Sequence, residues 1–287
     1  MLLAERGARV VVNDLGGSVD GVGADAGPAA TVAGEIVSAG GVAIADASDV
    51  STVDGAEALI ATAVHEYGRV DVLVNNAGIV KYATFPKLDA DNLASHLAVH
   101  VGGSFNTTRA AWPHMSEAGY GRIVMTTSSG IFGMANNLSY ATAKAAVIGM
   151  TRSLAVAGAD HGIKVNLIAP AAFTRMAGNT SDEVDADDPA ATSMSPGLVA
   201  PMVGFLAHER CPVTGELYEA GGGRFSRIFI GETRGQVVTG EPTIEDVAEH
   251  WAAIGDETGY VVPTDLMSWS AGYLEHLGTD GAAPASS

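Results

Sequence analysis

The chain has 287 residues, 47% of them apolar, and a formal net charge of −18. That composition supports a substantial core and fits one large α/β domain with an appendage; the acidic balance excludes nucleic acid as a partner, because phosphate binding needs a basic stripe and none is visible. No apolar run reaches the roughly 18 residues of a membrane span, no charged-then-apolar leader opens the chain, and Cys211 stands alone, which excludes an intrachain disulfide framework and points to a cytoplasmic protein.

Met1 to Gly7 reads as the tail of a helix closed by Arg6-Gly7 as a C-cap. Ala8 to Asn13 is a short β-branched run of the kind found in buried parallel strands, and Asp14 follows at its carboxyl end. In open α/β sheets ligands lie across the carboxyl ends of the strands, and an acidic residue there accepts hydrogen bonds from an adenosine ribose while repelling a 2′-phosphate. Asp14 therefore points to NAD over NADP. Gly17-Ser18-Val19-Asp20-Gly21-Val22-Gly23 has the spacing of a phosphate loop between a strand and a helix. It is rejected as one, because Asp14, Asp20 and Asp25 would crowd a pyrophosphate with negative charge where a helix N-terminus should offer amides. Gly41 to Ala45, leading to Asp49-Val50, is a second strand, and Val53 to Tyr67 is an amphipathic helix. Arg69 to Asn76 forms the next strand, after which Asn76-Ala77-Gly78 lets the backbone approach a ligand closely.

Asp89 to Met115 reads as one long helix with small and apolar residues on one stripe and His100 within it. Gly121 to Thr127 is a strand that delivers the polar run Thr126-Thr127-Ser128-Ser129. Tyr140 and Lys144 follow, four apart and so on one face of a helix. A phenol titrating near about 10 is a poor acid or base at neutral pH, but a fixed positive charge beside it favours the phenolate. Carbonyl/alcohol interconversion needs such a tuned group, with a hydroxyl such as Ser128 to hold the substrate oxygen. Ile163 to Pro170 is a further strand. Gly178 to Ser195 is acidic, polar and poor in apolar residues, as a mobile substrate lid or an insertion would be. Pro196 to His208 reads as a helix, Gly215 to Ala220 as the last strand, and Ile244 to Ile254 as helical, and Gly278 to Ser287 is a small-residue tail.

Tyr140-x-x-x-Lys144 with Ser128 twelve residues upstream, Asn75-Asn76-Ala77-Gly78 after one apolar strand and Ile168-Ala169-Pro170 after another resemble the short-chain dehydrogenase/reductase family, from the first residues to about Ala220. The resemblance implies a Rossmann-like doubly wound parallel α/β sheet and an NAD-dependent oxidoreductase acting on a secondary alcohol or ketone, with no metal. In it Tyr140 transfers the proton, Lys144 lowers the Tyr140 pKa and orients the ribose, and Ser128 polarises the substrate oxygen. The family usually separates Ser from Tyr by thirteen residues, which would land on Thr127. Counting along the strand from Gly121 selects Ser128, and Ser128 is preferred with Thr127 left open. By the same resemblance Asp49-Val50 touch the adenine, Asn76, Ala77 and Gly78 line the adenine-ribose side, and Pro170 and Thr174 meet the nicotinamide. The family has Pro-Gly where this chain has Pro170-Ala171, which loosens the placing of Thr174. Most members carry Asn at the place of His100, relaying protons from the Lys through water.

His100, Val11-Val12-Asn13-Asp14-Leu15-Gly16-Gly17 and Thr108 to Met115 are most similar to the (3R)-hydroxyacyl-CoA dehydrogenase unit of the peroxisomal multifunctional enzyme. That likeness implies a 3-hydroxyacyl-CoA/3-oxoacyl-CoA pair as substrate and a homodimer or homotetramer. The family places three strands before Asn-Asn-Ala-Gly, whereas this sequence shows two, so the first strand and its glycine-rich loop are expected to be missing. About five buried apolar residues at roughly 1.5–3 kcal/mol each would rival a domain's whole stability of about 5–15 kcal/mol. The expectation is that the working protein begins upstream of Met1. The expected layout is a dehydrogenase domain over 1–223, an extension over 224–277 packed on it, and a disordered tail over 278–287. Two alternatives stay open: another carbonyl substrate, such as an acyl-carrier-protein thioester or a steroid, and a truncated, non-catalytic dimerisation partner.

Overall fold

The computed structural model describes residues 1–174 and 192–278; most of the acidic stretch after Gly178 and the tail after Gly278 lie outside them. Two compact units are present, Met1–Arg227 and Ile228–Ser287. The first holds helix α1 (Leu2–Glu5), strand β1 (Arg9–Asn13), α2 (Gly27–Ser38), β2 (Val42–Asp46), α3 (Val53–Tyr67) and β3 (Val72–Asn75). It continues with α4 (Ala90–His96), α5 (Ser104–Ala118), β4 (Gly121–Thr126), α6 (Leu138–Ala157), β5 (Ile163–Pro170), α7 (Ala200–Leu206), β6 (Leu217–Gly221) and β7 (Arg224–Ile228).

Strands β3-β4-β5-β6-β7 form one sheet in that order, with β3 to β6 parallel. β1 and β2 pair in parallel as a separate two-stranded sheet, Arg9 beside Val42 and Asn13 beside Asp46. Among the described residues no strand joins the two sheets. The helical layers nevertheless run across the break, since α3 packs on α5 and α1 packs on α7. The alternation of strand and helix places this molecule in the α/β class with a parallel-dominated sheet.

Burial follows the break. All six residues of β4 are buried, as are six of the eight in β5, which suits strands covered by helices on both faces. β1 and β2, also rich in Val, Ile and Ala, contain no buried residue. A Val-rich sequence specifies a strand, but it cannot supply the neighbouring strand that completes its burial.

Local chemistry fixes the helices. α3 starts at Thr52, whose hydroxyl accepts the Gly55 amide at 3.1 Å, and stops at Gly68 in the left-handed region at φ +78°. α6 buries Ser139, Ala143, Val147, Thr151 and Ala155 at four-residue intervals, so small side chains let its axis lie close to β4 and β5. The single long helix expected over Asp89 to Met115 is interrupted: between α4 and α5 the turn Leu97–Gly103 is a π-helix, a widened turn of the kind found at functional sites. The second unit holds α8 (Ile244–Glu249), α9 (Trp251–Ile254), α10 (Leu266–Tyr273) and α11 (Glu275–Gly278). Capping boxes at Thr243/Asp246 and Asp265/Ser268 begin α8 and α10. Among the described residues no helix is long and apolar enough to cross a membrane.

The split sheet predicts uneven rigidity. Two-stranded sheets are marginal in water, so amides of β1 and β2 should exchange with solvent at least about 100-fold faster than those of β4 and β5. Hydrogen exchange followed by mass spectrometry measures this, and equal protection in the two sheets would refute it.

Candidate active site

The carboxyl end of β4 and the first turns of α6 build the centre. The Lys144 ammonium Nζ donates to the Thr126 carbonyl at 2.9 Å, and Thr127 Oγ1 donates to the Lys144 carbonyl at 2.7 Å. Thr127 is fully buried in that role. Ser128 turns the other way: its Oγ accepts the Gly130 amide at 3.0 Å and hydrogen-bonds the Tyr140 phenol. The hydroxyl presented to Tyr140 is therefore that of Ser128, while Thr127 ties helix to strand.

The electrostatics differ from the sequence expectation. Burial raises the Tyr140 pKa; the Ser128 hydrogen bond opposes this and the nearby Tyr82 phenol adds to it. Lys144, 3% exposed, has no carboxylate among the described residues to balance it, and burial brings it down to about 7. Its Nζ lies 5.6 Å from the centre of the Tyr140 ring. The resemblance implies that Lys144 lowers the phenol; in this structure burial is the largest cause acting on both groups.

His100 lies in the π turn, 1% exposed, its ring 5.3 Å from that of Tyr140 and nearly perpendicular to it. Its Nε2 sits 2.8 Å from the Ile79 carbonyl, and its Nδ1 is buried with no hydrogen-bond partner. Burial and the Lys144 charge bring its pKa down to about 3, so the ring is neutral at physiological pH. Gly78 is required beside it, since a Cβ there would stand 2.5 Å from His100 Cε1. His96 was not singled out by the sequence. It stacks on His100 at 5.9 Å, and its two nitrogens meet the Asn92 carbonyl at 2.7 Å and the Lys81 amide at 3.2 Å. Two His four apart on one helix are the signal that marks it.

The residues expected at a cofactor fall into two groups. Asp14 is exposed, and its Oδ1 accepts the Gly16 amide at 2.7 Å. Beside it Asn13 Nδ2 bridges Asp46 Oδ1 at 2.8 Å and the Ser48 carbonyl at 3.0 Å, locking the carboxyl ends of β1 and β2 together. Asp49 is occupied by its own turn, accepting the Ser51 amide at 2.9 Å and hydroxyl at 2.7 Å, and the Val50 carbonyl accepts Asn106 Nδ2 at 3.3 Å. On the other sheet Asn76 and Ala77 are exposed after β3, Pro170 ends β5, and Thr174 is half-buried. The Gly17–Gly23 segment folds on itself. The Ser18, Gly21 and Val22 amides bond the Val22 carbonyl at 2.9 Å, the Ser18 carbonyl at 2.8 Å and Ser18 Oγ at 3.1 Å. Those three amides are therefore engaged within the segment rather than turned to a ligand.

The family model described as short chain dehydrogenase matches residues 2–185. A putative short-chain type dehydrogenase/reductase of Mycobacterium tuberculosis is 41% identical over 260 residues, covering 90% of this chain and 89% of its own length. Peroxisomal multifunctional enzyme type 2 of Mus musculus is 37% identical over 96% of this chain, which spans 37% of that enzyme. The solved structure of full-length peroxisomal multifunctional enzyme type 2 from Drosophila melanogaster superposes with a TM-score of 0.78 at 31% identity, over 98% of this chain and 47% of the other.

The buried neutral His100 makes a stability prediction. Its folded pKa of about 3 lies below the ordinary 6.5, so the unfolded chain binds more protons between those values and stability rises with pH across that window. At most about 5 kcal/mol of stability should be lost as pH falls from 6.5 to 3. His100→Asn should flatten this acid limb in urea titrations at several pH values; an unchanged slope would show that His100 titrates normally.

Proposed function

We propose that this chain, which belongs to the short-chain dehydrogenase/reductase family, interconverts a 3-hydroxyacyl-CoA and a 3-oxoacyl-CoA with NAD as the acceptor. That it is an oxidoreductase acting on CH–OH follows from the family. The finer reading rests on the pairing of Ser128 with Tyr140 above a buried Lys144, on the exposed Asp14 carboxylate at the end of β1, and on the similarity to multifunctional enzymes over nearly the whole chain.

The described residues fit the two ends of a dinucleotide. On this reading Asp14 would accept from the adenosine ribose, and Tyr140, Lys144, Pro170 and Thr174 would serve the nicotinamide end. Between them, where the pyrophosphate would run, the sheet is broken. When bound, the nicotinamide supplies or accepts the hydride. The protein's own groups handle the proton. Ser128 and Tyr140 converge on the substrate oxygen: as the phenolate Tyr140 takes the alcohol proton on oxidation, as the phenol it returns that proton on reduction, and Ser128 donates to the oxygen in both directions. Lys144, with a pKa of about 7, is protonated in roughly half the molecules at neutral pH. In that form its charge opposes the burial that raises the phenol. His100, neutral and with a bare Nδ1, accepts a hydrogen bond without adding a second positive charge.

Two measurements test this reading. Tyr140→Phe should lower turnover by about 10²–10⁴-fold, while the thermal shift produced by NADH persists, at about 2.7 kcal/mol for a ligand at 100 times Kd; retained turnover would remove Tyr140 as the acid/base. In the same assay NADH should stabilise the protein far more than NADPH, and Asp14→Asn should narrow the gap. Equal shifts by both nucleotides in the unaltered protein would take the selecting role away from Asp14.

A further inference from the structure

The chain contains four lysines, Lys81, Lys87, Lys144 and Lys164, against a net charge of −18. Two are engaged in the fold: Lys144 on the Thr126 carbonyl at 2.9 Å and Lys164 on the Cys211 carbonyl at 2.5 Å. The other two bracket one short segment, Lys81-Tyr82-Ala83-Thr84-Phe85-Pro86-Lys87, and that segment borders the catalytic groups. The Lys81 amide donates to His96 at 3.2 Å, the Tyr82 phenol acts electrostatically on Tyr140, and the Ala83 amide donates to the Asn136 carbonyl at 3.0 Å. Asn136 belongs to the stretch joining Ser128 to Tyr140, so the two segments form one rim. A turn in which the Lys87 amide meets the Thr84 carbonyl at 2.9 Å folds Lys87 back over it.

The rim is apolar as well as cationic. Tyr82 is 47% exposed, Phe85 68%, Phe132 73% and Met134 54%, a concentration of large exposed side chains beside a site that marks a ligand surface. Lys81 acts electrostatically on Asp20, whose carboxylate also accepts the Ser18 hydroxyl; Asp89 caps α4 by accepting the Asn92 amide at 2.7 Å, and among the described residues Lys87 forms no ion pair.

Resting on the acyl-thioester reading above, we propose that this rim recognises a phosphate-bearing amphiphile: Lys81 and Lys87 take the phosphates of the coenzyme A carrier, and Phe85, Phe132 and Met134 take the acyl chain. A neutral steroid would leave the lysines unused. A bulky acidic carrier protein would meet the repulsion of the whole acidic chain, whereas a compact nucleotide meets the lysines first.

The test compares one 3-hydroxyacyl group carried on coenzyme A with the same group on N-acetylcysteamine, which has no phosphate. The coenzyme A thioester should have a kcat/KM about 5- to 10-fold higher, through KM, as two exposed charge pairs allow. That preference should shrink as salt rises from about 20 to about 300 mM, and the Lys81→Gln/Lys87→Gln double variant should bring the ratio toward one. A decanoyl-length chain should outperform a butyryl-length one on either carrier, and Phe132→Ser should narrow that difference. Turnover of both carriers with equal, salt-independent kcat/KM would overturn the rim proposal while leaving the thioester reading standing, as would a carrier-protein thioester preferred over coenzyme A. No turnover of either thioester by protein that still binds NADH would overturn the thioester reading, and the proposal with it.

Discussion

The interaction on which the site depends is the reciprocal pair between β4 and α6. Lys144 reaches from the helix to the Thr126 carbonyl, and Thr127 reaches from the strand to the Lys144 carbonyl. Two hydrogen bonds in opposite directions fix both the distance and the rotation of the helix, which one bond would not. The small side chains along the buried face of α6 make this closeness possible. With Thr127 facing inward, alternation along the extended chain turns Ser128 outward to Tyr140. A buried ammonium held, among the described residues, by one carbonyl and no carboxylate is costly, and that burial lowers the Lys144 pKa to about 7. The same burial that positions the groups therefore sets their protonation.

A second constraint holds the opposite wall. His96 and His100 project from α4 and the π turn to the backbone of residues 79–81, where they meet the Lys81 amide and the Ile79 carbonyl. Asn92 adds a bond from Nδ2 to the Lys81 carbonyl at 3.1 Å. The widened turn brings His100 over Gly78, which has room for the ring only because it lacks a Cβ. Protonating His100 would put a second positive charge near Lys144, and both that charge and burial oppose it.

Much of this was legible in the sequence where the signal is local. α3 begins and ends where Thr52 and Gly68 say it should, and the apolar runs of β4 and β5 form the buried strands. Tyr140 and Lys144 share a helix face because a spacing of four dictates it. What was not legible depends on partners distant in sequence. The π turn arises from the packing of His100 on Gly78, twenty-two residues away by numbering, and no helical period announces it. Asp49 reads as a candidate ligand group, and the sequence does not show that its Oδ1 is taken by the Ser51 amide and hydroxyl. Between Thr127 and Ser128 two counts disagree, the count from Gly121 selecting Ser128; the structure turns on which hydroxyl the α6 backbone claims, which is Thr127.

The break in the sheet divides the proposed cofactor site between a firm half and a soft one. Ser128 follows the fully buried strand β4, and Tyr140 and Lys144 stand on α6 packed against it, whereas Asp14 follows a strand of a two-stranded sheet with no buried residue. A dinucleotide reaching from Asp14 to Tyr140 would touch both, and any ligand that orders the soft half is bound at the expense of that ordering. Among the contacts that tie β1 and β2 to the rest of the unit are the packing of α3 on α5, the bonds from Asn106 Nδ2 to the Val50 and Ser51 carbonyls, and the bond from the Val80 amide to the Val19 carbonyl at 2.9 Å. The last of these joins the loop after β1 to the segment that carries Ile79 and Lys81. Through it the loop after β1 is tied to the histidine wall, so order in the soft sheet and geometry at Tyr140 are linked.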